Sequence, residues 1–191
     1  MGAGPSTDAM TDEALFFAVA HGDALLVSEL IGRAANVNHI QNDHDGATPC
    51  VVAAQEGHLD CLRLLLAQTE CEFNRTDRWG FTPCHMAARW GHADCLLELL
   101  QKGANPSIKS ADGALPCHVA AQYDQVECLR ILLSLPTSTP AQFDCAALYD
   151  VAMRNNSEAC VEFLEHSEQL VVRASLPEPG VAARADSAIS V

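Results

Sequence analysis

The chain of 191 residues is long enough for one domain with a core or for a short array of stacked repeats. Its 25 acidic and 11 basic residues give a net charge of −14, and only two of the basic residues are lysines, so nucleic acid and anionic membrane surfaces are poor partners. Apolar residues make up 49% of the chain but aromatic residues only 5%, which predicts a core of Leu, Ala, Val and Cys.

The sequence also indicates a compartment. No stretch approaches the ~20 apolar residues that a membrane-spanning helix needs, and residues 1–7 lack the basic start and apolar run of a secretory signal. The nine cysteines are an odd number, with spacings unlike those of a disulfide framework. We therefore expect a cytoplasmic monomer, with the nucleus left open as a second location.

The first predicted elements are a flexible stretch, residues 1–10, and a helical unit, residues 11–42. Thr11 is a suitable helix start, and Ala18-Val19-Ala20-His21-Gly22 keeps the rhythm of the later units without their Thr-Pro start. Terminal units of a stack are atypical because their outermost faces meet water. This unit is therefore predicted to cap the array.

The middle of the chain repeats one pattern with a period of about 33 residues. The copies read TPCVVAAQEGH at 48–58, TPCHMAARWGH at 82–92 and, in a weaker form, LPCHVAAQYDQ at 115–125. Each copy leads into a segment that begins Cys-Leu and ends in Leu-Leu. Thr is a good helix N-cap, Pro suits the first helical position, and Gly57 and Gly91 can end a helix with positive φ. Second helices are predicted at 60–67 and 94–101.

These segments resemble the ankyrin repeat, whose consensus runs D-x-x-G-x-T-P-L-H-x-A-A-x-x-G-H before a Leu-rich second helix. The third unit matches almost throughout, with Cys84 in the usual Leu place, whereas the second has Val51 where the His belongs. The resemblance implies an all-α solenoid of about five helix-turn-helix units with short β-turn or hairpin loops. The predicted units are approximately 11–42, 43–76, 77–109, 110–141 and 142–166, followed by a disordered tail, 167–191.

The cysteines and histidines of the repeats suggest metal or nucleophile chemistry at first sight. The cysteines take consensus Leu and Val positions, where buried Cys acts as a small hydrophobe, and no C-x-x-C pair offers a zinc site. The resemblance implies a structural role for His85 and His118, whose rings would bond backbone groups of the neighbouring turn. We predict no catalytic residue, no metal site and no cofactor.

The positions that the repeat leaves variable form the predicted binding surface. In the family, the turn before Thr-Pro and the two residues between Ala-Ala and Gly-His face a concave groove. Both tryptophans fall at such positions of the third unit, and Trp and Arg dominate interface hot spots; the alternative is that they only pack on neighbours. The predicted partner-binding residues are Arg78, Trp79, Phe81, Arg89 and Trp90, with a rim of His44, Asp45, Gln55, Glu56, Lys109, Asp112, Gln122 and Tyr123.

Three hypotheses for function follow. The first is a non-enzymatic adaptor that binds a partner protein of basic or mixed charge through the groove. The second is a small subunit that inhibits an enzyme, like the acidic ankyrin inhibitors of cyclin-dependent kinases, although their second repeat is shortened and this one keeps a complete Thr-Pro start. The third is a thiol-based redox or metal-binding protein, which fast labelling of native thiols would support.

Three short motifs lie outside this scheme. Residues 1–6 fit a pattern for myristoylation at Gly2, and Ile189-Ser190-Val191 has the form of a PDZ-binding C-terminus. Asn74 lies in a context that resembles ankyrin sites of asparagine hydroxylation. For each motif the alternative is that it plays no part in function.

Overall fold

The computed structural model describes residues 7–40, 45–135 and 145–175, and ten helices and no strands lie within these ranges. The side chains of residues 7–9, 145 and 167–175 are outside the description. The helices are α1 (Thr7–Ala20), α2 (Ala24–Gly32), α3 (Pro49–Glu56), α4 (Leu59–Leu66), α5 (Pro83–Trp90), α6 (Ala93–Gln101), α7 (Pro116–Gln122), α8 (Val126–Leu133), α9 (Cys145–Arg154) and α10 (Glu158–Ser175).

The helices pack in two rows. The inner row is α1, α3, α5, α7 and α9, in which each helix packs against the next, and the outer row is α2, α4, α6, α8 and α10. Ala53, Ala54, Ala87 and Ala88 are buried in the inner row, where their small side chains allow the helices to approach closely. The outer helices bury Leu and Cys at helical spacing, which closes one continuous core between the rows.

The helix ends follow the positions of Thr-Pro and Gly in the repeat sequence. Thr48 and Thr82 are the N-caps of α3 and α5, each with extended backbone and a Pro at the first helical position. Gly57 ends α3 with φ of 74°, a left-handed conformation that glycine adopts without strain. The sequence therefore sets where each inner helix begins and where the chain turns into its outer partner.

Neighbouring units are joined by backbone hydrogen bonds between their turns. The Arg78 N–H donates to the Asp45 carbonyl and the Ala111 N–H donates to the Trp79 carbonyl, both at 2.9 Å. The His92 ring adds a second connection, because its Nε2 donates to the Gln55 carbonyl of the preceding unit at 2.9 Å. These bonds hold successive turns in a row along one edge of the solenoid.

The predicted all-α repeat solenoid is confirmed, and the outer helices α4 and α6 begin within one residue of the predicted 60–67 and 94–101. Helix α1 begins before residue 11 and α10 continues past residue 166, so the described helices extend beyond both ends of the predicted repeat domain. The unit boundaries stay predictions, and residues 1–6 and 176–191 lie outside the described residues. None of the described helices is long and apolar enough to span a membrane.

Candidate functional site

A groove of about 350 Å³ opens on the inner row, across the first three units. Its walls come from α1, α3 and α5 and from the turns that precede α3 and α5. The groove is lined by Phe16, Ala20, Asp45, Ala47, Val51, Val52, Gln55, Glu56, Asp77, Trp79, Phe81, Met86 and Arg89.

The groove brings together part of the predicted binding surface. Trp79, Phe81 and Arg89 of the predicted centre line it, and three predicted rim residues, Asp45, Gln55 and Glu56, lie opposite on the second unit. The remaining predicted residues lie elsewhere. Arg78, Trp90, Lys109, Asp112, Gln122 and Tyr123 do not line the groove, and His44 lies outside the described residues.

The two tryptophans remain open to solvent in the folded chain. The exposed fraction is 55% for Trp79 and 53% for Trp90, which is unusual for side chains of this size. Trp79 stands at the groove wall, and no cation lies over its ring among the described residues. Trp90 ends α5 on the side of the fourth unit. Their exposure is what a binding surface requires, and their role in binding stays a prediction.

The two arginines of the predicted centre are engaged within the chain. Arg78 forms an ion pair with Asp45 across the turns, with Nη1 2.9 Å from Oδ1. The guanidinium of Arg89 lies over the rings of Tyr123 and Trp90, 4.9 Å and 5.7 Å from their centroids. Both cations are thus held by neighbouring residues, and Arg89 links the groove to the exposed aromatic residues of units three and four.

Asp77 organises the turn that carries Trp79. Its Oδ1 accepts hydrogen bonds from the N–H groups of Trp79 at 2.9 Å and Phe81 at 2.8 Å. Burial raises the pKa of the Asp77 carboxyl above its usual value, and the two N–H donors act in the opposite direction by stabilising the carboxylate. The carboxylate therefore has a structural task at the turn and also forms part of the groove wall.

The floor of the groove is not among the predicted binding residues. Phe16, Val51, Val52 and Met86 are buried residues that reach its surface from three different helices. Val51 occupies the position where the third unit has His85, so the second unit has an isopropyl group where the third has an imidazole. This departure from the repeat was visible in the sequence, but Phe16 could not be foreseen because its neighbours come from another unit.

His85 has the structural role that the resemblance implies. Its Nδ1 accepts from the Thr82 N–H at 3.1 Å, and its Nε2 donates to the Ala114 carbonyl of the next unit at 3.1 Å. Burial lowers the pKa of this imidazole to about 4. His118 likewise accepts from the Leu115 N–H at 3.3 Å. Each ring thus accepts a hydrogen bond from the N-cap residue of its own helix and stabilises the start of that helix.

The described thiols are core residues. All eight cysteines whose side chains are described are buried and unpaired in disulfides, and burial raises the pKa of Cys84 and Cys128 to about 12. Cys71 differs, because a hydrogen bond from the Cys50 thiol lowers its pKa. Among the described residues, no group of three or more His, Cys, Asp or Glu side chains has the spacing to hold a metal ion.

Asn74 of the hydroxylation context has a structural partner. The side chain is exposed, and its Oδ1 accepts from the Asn105 N–H of the next unit at 2.8 Å. The motifs at Gly2 and at 189–191 lie outside the described residues.

The repeat pattern also matches a known protein family. The model of that family, described as ankyrin repeats (3 copies), matches residues 15–110, which is half of the chain and contains every residue that lines the groove. Since the fold and the family match agree, the chain belongs to the ankyrin-repeat family.

Proposed function

We propose that this chain is a non-enzymatic adaptor that binds a partner protein through the concave face of its repeats. Ankyrin repeats are generally protein–protein interaction modules. The observation that supports this assignment most directly is the groove, whose lining combines the half-exposed ring of Trp79 with buried apolar side chains. A large aromatic ring beside a concave apolar surface is the usual composition of an interface hot spot.

The test is affinity capture from cell lysate with mass spectrometry. One bait is the native chain, and the second carries Trp79→Ala and Trp90→Ala. A third bait carries Leu25→Ala and Leu97→Ala, which removes exposed apolar side chains from the outer helices α2 and α6. We expect a partner that the second bait loses by about tenfold or more and that the third bait retains. Unchanged helical circular dichroism would show that all three baits are folded.

Equal capture by all three baits would contradict the proposal, since recognition would then lie away from the concave face. The captured partner also separates the adaptor from the inhibitory subunit. If the partner is an enzyme, its activity measured with and without the purified chain distinguishes the two, because only an inhibitory subunit lowers it.

A further inference from the structure

We propose that the occupant of the groove is an extended segment of a partner protein in which a Lys or Arg residue lies two positions from an apolar residue. This proposal rests on the proposed function and names the chemistry of the partner at the same site. It is carried by the distribution of charge around the groove.

The carboxylates of the groove are not equally neutralised. Asp45 is paired with Arg78. Glu56 and Asp77 line the same groove, and neither has an ion-pair partner among the described residues. Within the described part of the chain, Glu56 accepts a side-chain hydrogen bond only from the amide of Gln55, at 3.0 Å. Neither carboxylate is neutralised by a direct ion pair, and the Arg78 charge, which is paired with Asp45, acts on Asp77 only at longer range. A cation from a partner would therefore meet negative charge that the described residues leave incompletely balanced.

Arg89 lines the groove, but its charged group lies away from the groove carboxylates. The Arg89 guanidinium lies over the Tyr123 and Trp90 rings, on the side of the fourth unit. Its Nε is buried and makes no hydrogen bond within the described part of the chain. Arg89 therefore gives the wall its aliphatic stem, while its charge is held by the two aromatic rings.

Trp79 and the floor explain why the cation should have an apolar neighbour. The exposed Trp79 face, which carries no cation among the described residues, can accept a Lys or Arg side chain by a cation–π contact. Val52, Phe81 and Met86 line the same groove and offer it an apolar surface. In an extended segment successive side chains point to opposite sides, so a cation and an apolar side chain two positions apart reach the same wall.

A second copy of the chain and a nucleic acid are both poorer occupants. The chain carries 25 acidic and 11 basic residues, so a second copy adds like charge to an acidic groove. A nucleic acid would bring phosphates towards Glu56 and Asp77. A basic and apolar peptide satisfies the carboxylates and the floor together.

The probes for the test are two pools of short synthetic peptides, labelled with fluorescein and blocked at both ends. Each pool has a mixture of Leu, Phe and Met at its centre and Ser or Ala elsewhere. The first pool has Arg two positions before and after the centre, and the second has Glu at those two positions. Fluorescence anisotropy with the full chain gives the Kd of each pool.

The variants are chosen so that the fold is kept. Asp77→Asn retains an Oδ1 acceptor for the N–H groups of Trp79 and Phe81, and Glu56→Gln changes an exposed side chain. The matched control is Asp94→Asn, which removes one negative charge from the exposed start of α6, away from the groove. The three variants carry the same net charge, so any difference between them reports position.

We expect the Arg pool to bind at least about tenfold more tightly than the Glu pool. Glu56→Gln and Asp77→Asn should each weaken the Arg pool by about three- to tenfold, whereas Asp94→Asn should change it by less than about twofold. Raising the salt concentration from about 50 to about 300 mM should weaken the binding of the Arg pool to the native chain. The same change should weaken the binding of this pool to either groove variant by a smaller factor.

The proposal is overturned if the Arg pool does not bind, if the Glu pool binds equally well, or if Asp94→Asn weakens binding as much as the groove variants. In another outcome, the chain still captures a partner through Trp79 and Trp90 while it shows no preference between the pools. That outcome contradicts the basic segment and keeps the adaptor function. If capture does not depend on the tryptophans and the pools bind equally, both proposals are wrong.

Discussion

At the scale of single residues, His85 makes the stability of the fold depend on pH. The imidazole is neutral in the folded chain, since burial lowers its pKa to about 4, while in the unfolded chain the pKa is about 6.5. Between these two pH values the unfolded chain therefore binds more protons at this residue than the folded chain does. The stabilisation is fully present above about pH 6.5 and is lost as the pH falls towards 4, by between about 1 and 3 kcal/mol.

The measurement is urea unfolding of the native chain and of His85→Gln at several pH values between about 4.5 and 7.5. The variant cannot titrate at this position, so the difference in unfolding free energy between the two proteins isolates His85. This difference should shrink as the pH is lowered. A difference that stays constant or grows would show that the ring is not held neutral by burial.

The buried thiols lead to a second prediction at this scale. The eight described cysteines should react slowly with a thiol reagent at neutral pH, at rates that rise with added denaturant, because the side chains must first be exposed. Cys71 should react first among them, since it is 7% exposed and its thiol pKa is lowered by Cys50. Comparison with Cys71→Ser identifies that phase. Fast reaction of several thiols in the native chain would instead favour the redox hypothesis.

These residue-scale properties were only partly predictable. The capping role of His85 was implied by the resemblance to the ankyrin repeat, and its partners are Thr82 and the turn of the next unit. The ion pair of Arg78 with Asp45 and the stacking of Arg89 on Tyr123 depend on how the units are rotated relative to each other. No local pattern encodes that rotation.

At the scale of elements, the turns that end the helices differ in what surrounds them. Gly57, after α3, has φ of 74°, and a Cβ placed there would come within 2.5 Å of the His92 ring. Gly103, after α6, has φ of 91°, but a Cβ placed there would meet nothing within 4 Å. The first glycine is thus constrained by its conformation and by its neighbour, and the second by its conformation alone.

We therefore expect Gly103→Ala to lower the free energy of unfolding by about 1 kcal/mol, the cost of a positive φ in a residue with a side chain. Gly57→Ala should lower it by about 2–4 kcal/mol, because the His92 ring must also move and give up its hydrogen bond to the Gln55 carbonyl. Denaturant unfolding of both variants measures the difference. Equal losses would mean that the ring adjusts freely.

The repeat pattern predicted these elements closely. Thr-Pro marks the helix start and Gly the helix end through local backbone chemistry, which is why the bounds of α3 and α5 follow the sequence. The ends of the array were less predictable. Helix α1 lacks the Thr-Pro signal and begins at Thr7, before the predicted start at Thr11, although Gly22 with its positive φ follows the end of the helix. Helix α10 has neither a Thr-Pro nor a Gly-His signal, so the pattern marks neither of its ends.

At the scale of the whole molecule, the described helices of each unit pack mainly against those of the adjacent units, so stability should be distributed unevenly along the solenoid. Leu96 in α6 and Leu164 in α10 are both buried, at 0% and 2% exposure. Leu→Ala at such positions removes about 2–5 kcal/mol. The substitution in α10 destabilises the last unit of the stack. The substitution in α6 destabilises the third unit, which packs against the units on both sides.

Hydrogen exchange followed by mass spectrometry tests this expectation. Leu164→Ala should speed amide exchange in α9 and α10 and leave α1 to α4 close to the native rates. Leu96→Ala should speed exchange in all described helices, because both halves lose their central neighbour. If Leu164→Ala speeds exchange equally in α1 to α4, the chain unfolds as one cooperative unit and the nearest-neighbour description is wrong.

The sequence by itself determined the class of fold, the order of the helices and the residues that cap them, because each of these depends on the chemistry of a few adjacent residues repeated along the chain. It also identified Trp79 as an exposed aromatic residue at a position the fold does not need. Only the tertiary structure decided which side chains share the groove, that its floor includes Phe16, and that Glu56 and Asp77 form no direct ion pair among the described residues. Those properties arise where different units meet, and the relative placement of units is set by packing over the whole stack.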